Sequence, residues 1–191
     1  VDADRDPELA GILASSEPSV VTEDEWDWHG APLPFRISGH LGAFRLPEHL
    51  VTSVRCLVSV AGRLVVCETP RDTHIWPGGR REGGESFGET AAREVLEETG
   101  WKIDPASLAP VGFLHFEHLV PPPAGYPYPS PDFLQLVLGA AVAEPADQPE
   151  NWTDDVGGWE LRSYLADPAE LAALPLDDFQ RVCASVFLAA G

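Results

Sequence analysis

Three glutamates and an arginine, Arg93, Glu94, Glu97 and Glu98, are the residues whose types and spacing most directly suggest chemistry. On a helix turning about 100° per residue, Glu94, Glu97 and Glu98 fall within an arc of roughly 100°, one turn apart, so their carboxylates converge on one patch of space. Left alone, such like-charged pairs destabilise a helix by a few tenths of a kcal/mol each. A hard divalent cation reverses the sign, because it takes several oxygen ligands and binds through carboxylates together with substrate phosphates. Arg93 lies four residues before Glu97 and can pair with it.

The flanking residues are those that would hold such a patch in place. Ser86 followed by Glu89 is a capping box, which starts a helix at about Phe87. Gly100 suits the left-handed position that stops one, and Trp101 behind it can close over Leu96. Between these signals Ala91, Ala92, Val95, Leu96 and Thr99 recur at the three-and-four spacing of a buried stripe. Upstream, Trp76-Pro77-Gly78-Gly79 joins a rigid proline to two permissive glycines, a tight turn leading into the helix. Arg80 and Arg81 follow at once and could clamp phosphate oxygens.

Taken together, Gly79, Glu85, Arg93, Glu94, Val95, Glu97, Glu98, Gly100 and Trp101 fill the pattern Gly-x₅-Glu-x₇-Arg-Glu-apolar-x-Glu-Glu-x-Gly-apolar at every position. Seven fixed identities and two apolar sites recur by chance in a chain of this length on the order of once in a million. This stretch, Gly79 to Trp101, resembles the signature box of the Nudix hydrolase family, with no departure inside it. The resemblance implies an α/β fold, the Nudix-type α/β/α sandwich in which a mixed sheet carries helices on both faces. It implies a pyrophosphatase of the MutT-like kind that uses Mg²⁺, with Mn²⁺ able to substitute. The metal ligands it implies are the Gly79 carbonyl with Glu94, Glu97 and Glu98. Arg93 matches the family arginine that helps orient the glutamate after it, and Glu85 matches a position that is structural or an accessory ligand.

The chemistry follows from the requirements of diphosphate hydrolysis: substrate charge must be neutralised, a phosphorus polarised and a water made nucleophilic at neutral pH. Bound magnesium ions can do all three. Glu94, Arg93 and Glu98 are the expected catalytic residues. For the general base Glu94 is one candidate; Glu117, Asp154, Asp155 and Glu160 are the alternatives. The expected activity is hydrolysis of a nucleoside diphosphate linked to another moiety, with a nucleoside triphosphate, ADP-ribose or a nucleotide sugar as substrate. The resemblance leaves these open, because no subgroup signature stands cleanly outside the box. A Nudix-fold module that senses a nucleotide without cleaving it is the alternative, although its relatives often lose a box glutamate. A structural domain working through its N-terminal aromatics is a third reading.

The remaining chain sets limits. With 191 residues, 44% of them apolar, it can bury a proper core. A net charge of -19 argues against polymeric nucleic acid, which is gripped by lysine and arginine on phosphates. Small phosphorylated substrates stay open, since their metal ions bring the positive charge. Cys56, Cys67 and Cys183 form no C-x-x-C pair and read as buried free thiols. With no secretory signal and no apolar run near 18 residues, a cytoplasmic protein with no membrane partner is expected.

Residues 1–48 read as an N-terminal arm and residues 49–191 as the hydrolase domain. The arm holds a short helix from Pro7 to Ala14, then Trp26, Trp28, Phe35 and Phe44 amid prolines. These aromatics would pack against the main domain or a second copy, giving a homodimer. His29, His40 and His49 lack metal-ligand spacing. Strands are predicted over Leu50–Val60, Arg63–Glu68, Leu108–His118 and Phe133–Val142, the first two joined at Ala61-Gly62, with a short one near Trp159 and Leu161. The proline-punctuated loop Val120–Pro131 offers Tyr126 and Tyr128 for stacking on a nucleobase. A closing helix, Asp177–Ala189, would turn Phe179, Val182, Val186 and Phe187 inward.

Overall fold

The computed structural model describes residues 5–141, 144–145 and 160–190. The chain divides into two compact units, Val1–Thr52 with Gly112–Leu136, and Ser53–Val111 with Val137–Gly191. Its class is the expected one, α/β with a mixed, curled sheet and helices.

In the first unit, helix α1 (Pro7–Ser15) starts at Asp6, whose side chain accepts from the amides of Glu8 and Leu9. Strands β1 (Val20–Trp28) and β2 (Ala31–Leu41) pair antiparallel from Val20↔Gly39 to Trp28↔Ala31. What reads in sequence as an irregular arm is therefore a long hairpin. Its turn is His29-Gly30, both at positive φ, and Pro32 and Pro34 sit in β2 before its pairing with the next strand begins at Phe35. Prolines there remove no ladder hydrogen bond on that side. That next strand is β7 (Ala109–His118), antiparallel to β2, followed in sheet order by β8 (Asp132–Ala140). Trp26 packs on Phe35 and Phe116 with ring centroids 4.7 and 5.4 Å apart. Trp28 meets Tyr126 edge-on at 5.2 Å. The tryptophans behind the homodimer expectation thus make these contacts within one chain.

The second unit is built on β3 (Val51–Val60), β4 (Arg63–Glu68) and β10 (Arg162–Ala166). β3 and β4 form the predicted hairpin across Ala61-Gly62. β4 pairs antiparallel with β10 on one side, and the two-residue β5 (Thr73–His74) also pairs with it, with Cys67 opposite both His74 and Ser163. Short β6 (Trp101–Lys102) and β9 (Glu144–Pro145) make a separate pair.

Helix α2 (Phe87–Thr99) packs on β4 and β10. Its boundaries are those its sequence signals call for. Ser86 and Glu89 complete the capping box, and Gly100 at φ 73 ends the helix with its amide on the Leu96 carbonyl. The buried stripe is Thr90, Ala91, Val95 and Thr99, while Ala92 and Leu96 are half-buried.

Helix α3 (Pro168–Ala173) is capped by Asp167 and Glu170 and has no counterpart in the sequence expectation. The last helix, α4 (Asp178–Ala190), buries Phe179, Gln180, Cys183 and Ala184. Val186, expected inward, is 45% exposed. The helix face is rotated toward Gln180, whose Oε1 accepts the Ile75 amide and whose Nε2 donates to Asp177. Those bonds satisfy a polar group in the core, so a glutamine takes an inward position that hydropathy alone assigns to valine.

Ser86→Ala should destabilise the chain by about 1 kcal/mol in urea unfolding, and Ser86→Asp, which still offers a cap oxygen, should cost less. Equal losses in both variants would remove the cap from the account of how α2 is placed.

Candidate active site

The turn that reads Pro77-Gly78-Gly79 lies along β3 and is fastened to it by backbone bonds. The Cys56 amide donates to the Pro77 carbonyl and the Val54 amide to the Gly79 carbonyl, each at 2.9 Å. Ser53 and Arg80 add an antiparallel bridge, and the Arg55 guanidinium donates to the Gly78 carbonyl. Gly78 has φ +154, and a β-carbon on it would run into the Val54 carbonyl. At Gly79 a β-carbon would meet the carboxylate of Glu94. Both glycines are there because backbone, strand and helix approach too closely for any side chain.

Against this turn α2 presents its acidic face. The Glu98 carboxylate accepts the Gly78 amide at 2.9 Å. Burial, and then the neighbouring Glu160, push its pKa up from 4.5 to about 8, against the opposing pull of the Gly78 amide and Arg55. Glu94, one turn earlier, is 13% exposed, and burial raises its pKa too, with Arg93 opposing. Glu97 is 45% exposed and stands at the rim of the patch.

Arg93 holds the group together through all three of its guanidinium nitrogens. Nε and Nη2 donate to the two oxygens of Glu85 at 2.7 and 3.1 Å. Nη1 donates to Glu94 at 2.8 Å and Glu97 at 3.1 Å, and Nη2 also reaches the Arg80 carbonyl at 3.0 Å. Glu85 takes the Thr90 hydroxyl and the Glu82 amide besides, each at 3.0 Å. With Arg93 as the main cause, its pKa falls to about 2. In this arrangement both oxygens of Glu85 are occupied by the protein.

Two neighbours of the patch were not singled out from sequence. Arg55, largely buried, faces Glu98, Glu94 and Glu160, and desolvation lowers its pKa against their pull. The signal was a single arginine inside the apolar run Val51–Val60. The other is His74, whose Nε2 lies 3.1 Å from Glu160 Oε1. Glu160 itself is fixed by the next residue, since the Leu161 amide donates to the Glu68 carbonyl at 2.7 Å.

The unit thus brings together Gly79, Glu85, Arg93, Glu94, Glu97, Glu98 and, from outside the box, Glu160. Arg80 and Arg81 flank the turn, with Arg81 over the Phe87 ring at 5.1 Å. Glu117, Tyr126 and Tyr128 belong to the other unit. There Glu117 pairs with Arg5 at 2.7 Å and Arg36 at 3.2 Å, and the two tyrosines pack with each other at 5.3 Å and with Trp28. Asp154 and Asp155 lie outside the described residues, as does Trp159.

A NUDIX domain profile matches residues 49–184, which include every member of the patch. The chain belongs to the NUDIX family. Membership brings an enzyme class, hydrolases acting on phosphoanhydride bonds. A NUDIX hydrolase from Nitrosomonas europaea superposes over 73% of this chain and 90% of its own, at 19% identity and a TM-score of 0.52. A Bacillus subtilis pyrophosphohydrolase does so over 88% and 98%, at 17% identity and a TM-score of 0.58. At these identities the likeness establishes the fold. Among the described residues of this NUDIX chain, no helix is long and apolar enough to cross a membrane. Its cysteines are free and buried, as expected.

Arg93→Lys keeps a charge but not a planar fork able to serve three carboxylates. It should cost about 1–2 kcal/mol in denaturant unfolding, allowing for solvent at a partly exposed site. An unchanged midpoint would show that the clamp does not carry that weight.

The raised pKa of Glu98 sets a pH dependence. Without metal, the folded chain keeps a proton that the unfolded chain gives up above about 4.5, so this stabilisation is complete below about 4.5 and lost as pH rises through about 8. In chelator, the melting temperature should fall between about pH 5 and about pH 9 more steeply for the wild type than for Glu98→Gln. Parallel curves would contradict the buried carboxyl.

Proposed function

We propose that the chain is a nucleotide pyrophosphohydrolase that cleaves a nucleoside diphosphate linked to another moiety, with Mg²⁺, or Mn²⁺ in its place, held by the Gly79 carbonyl, Glu94, Glu97 and Glu98. The observation that carries this reading is the pair of half-buried carboxylates, Glu94 and Glu98, set one helical turn apart against the Gly79 turn. Burying carboxylates side by side is unfavourable unless they are paired or bind metal. Arg93 and Arg55 offset only part of that cost, because Glu98 is left holding its proton to about pH 8.

The donors suit a hard ion. They are carboxylate and carbonyl oxygens, and the Gly79 carbonyl has two lone pairs, of which the Val54 amide uses one. When bound, divalent ions supply charge neutralisation on the diphosphate, polarisation of phosphorus and a water acidic enough to attack at neutral pH.

The protein's own groups do the rest. Arg93 keeps Glu94 and Glu97 in fixed orientations and ties them to the backbone of Arg80. Arg80 and Arg81 leave the same turn and supply cations for the substrate's phosphate oxygens. Proton removal from the attacking water falls to Glu94 or Glu160. Glu160 is favoured by its place outside the Arg93 clamp and beside Glu98, with Oε1 on the His74 ring. Substrate class stays within the range set by the sequence: nucleoside triphosphates, ADP-ribose or nucleotide sugars.

A panel of these compounds with and without magnesium tests the proposal. Cleavage of one class should dominate, stop in chelator and drop by orders of magnitude in Glu98→Gln, while circular dichroism shows that variant folded. A fully active Glu98→Gln enzyme would refute the ligand assignment. If a compound raises the melting temperature but none is cleaved, a nucleotide sensor becomes the better description.

A further inference from the structure

Beside the glutamate patch lies a second cluster with a different donor chemistry. Cys67 in β4 is directly opposite His74 in β5, so their side chains share one face of the sheet. Glu160 reaches the same place from the residues just before β10, its backbone set by the Leu161–Glu68 bond. A sulfur, a ring nitrogen and a carboxylate oxygen of these three all lie within 4.8 Å of one another. The Cys67 side chain is fully buried, and those of His74 and Glu160 are 13% and 7% exposed.

A structural role in the core does not account for this grouping. The hydrogen bond between His74 Nε2 and Glu160 Oε1 serves one ring nitrogen, while Nδ1 is buried with no hydrogen-bond partner among the described residues. A buried polar atom left without a partner costs about 1–3 kcal/mol. A thiol, an imidazole and a carboxylate drawn together in a nearly closed space are instead the ligand types of a tetrahedral zinc centre with an open fourth position, whose bonds run about 2.0–2.3 Å. The thiolate separates this set from the all-oxygen donors around Gly79, because sulfur selects borderline and soft ions over magnesium. β5, which carries His74, is a two-residue strand paired with β4 through Cys67↔His74 and Glu68↔Thr73.

We propose that Cys67, His74 and Glu160 form a second metal site, specific for Zn²⁺ or a similar thiophilic divalent ion, that inhibits the enzyme by taking Glu160 away from Glu98. On binding, the Cys67 thiol releases its proton to solvent as the sulfur–metal bond forms. Glu160 then neutralises the ion and its charge no longer acts on Glu98. The inhibition rests on the hydrolase reading, whereas the metal site does not.

The test therefore reads binding first, without nucleotide. Co²⁺ titrated into the full chain should give the near-ultraviolet thiolate-to-cobalt charge-transfer band, and Zn²⁺ should displace it. The band should disappear in Cys67→Ala, and in His74→Gln, which alters a short edge strand, it should need a much higher cobalt concentration. Because the box glutamates carry no sulfur, cobalt bound there cannot produce this band. No band in the wild type, or a band that survives Cys67→Ala, overturns the site. So does an unchanged cobalt titration in His74→Gln, a variant that also decides the matter if Cys67→Ala fails to fold. With binding established, Zn²⁺ should slow magnesium-supported turnover in the wild type and lose that effect in Cys67→Ala, whose turnover without zinc should match the wild type. Equal zinc inhibition in both would reject the regulatory role while leaving the magnesium chemistry intact.

Discussion

Two carboxylates, Glu94 and Glu98, are held out of water against the backbone of a glycine turn, and much of the surrounding structure offsets what that costs. The Gly78 amide donates to Glu98, Arg93 clamps Glu94 and Glu97 to Glu85 and to the Arg80 carbonyl, and Arg55 faces the group from β3. Each partner constrains something else. Gly78 and Gly79 must be glycine for strand and helix to close on the turn, and α2 must be capped at Ser86 for its acidic face to meet it. The offset is incomplete, since the pKa of Glu98 still rises to about 8. A bound cation would supply the positive charge that the site lacks, which is what the proposed metal assignment requires.

The same shortage distinguishes the roles of neighbouring acids. Glu85, fully engaged by Arg93, Thr90 and Glu82, is held well below the usual carboxylate range and acts as an anchor for the arginine. Glu97 stays half in water at the rim, on the same Arg93 nitrogen that holds Glu94. Glu160, brought in by the end of β4, sits where it influences Glu98 and also touches His74. Glu160 thus stands between the carboxylate patch and the Cys67–His74 pair, and through it the two proposed metal sites would be coupled.

Much of this was legible in the sequence because the signals are local. Ser86, Glu89 and Gly100 bound α2 within a single stretch of chain, and the spacing of Glu94, Glu97 and Glu98 sets their common face whatever the rest of the molecule does. The β3–β4 hairpin was equally plain from two apolar runs around Ala61-Gly62. The β1–β2 hairpin was not. Its turn is His29-Gly30 rather than an asparagine–glycine pair, and Pro32 and Pro34 disguise a strand whose partner on that side starts only at Phe35. Nor could hydropathy place Gln180 inward on α4, since its burial depends on the Ile75 amide from a distant loop. Arg55 and His74 escaped for the same reason: their meaning lies in register across strands, Cys67 opposite His74 and the Gly78 carbonyl beside β3, and register is a tertiary property.

The central claim is that Glu94 and Glu98 with the Gly79 carbonyl are a divalent-metal site, and the most direct measurement is anomalous diffraction from crystals of the protein soaked in Mn²⁺. The account expects an anomalous peak bonded to oxygens of Glu94 and Glu98 and to the Gly79 carbonyl, with Arg93 still on Glu85. Manganese bound only elsewhere, with Glu94 and Glu98 unchanged beside the turn, would contradict it.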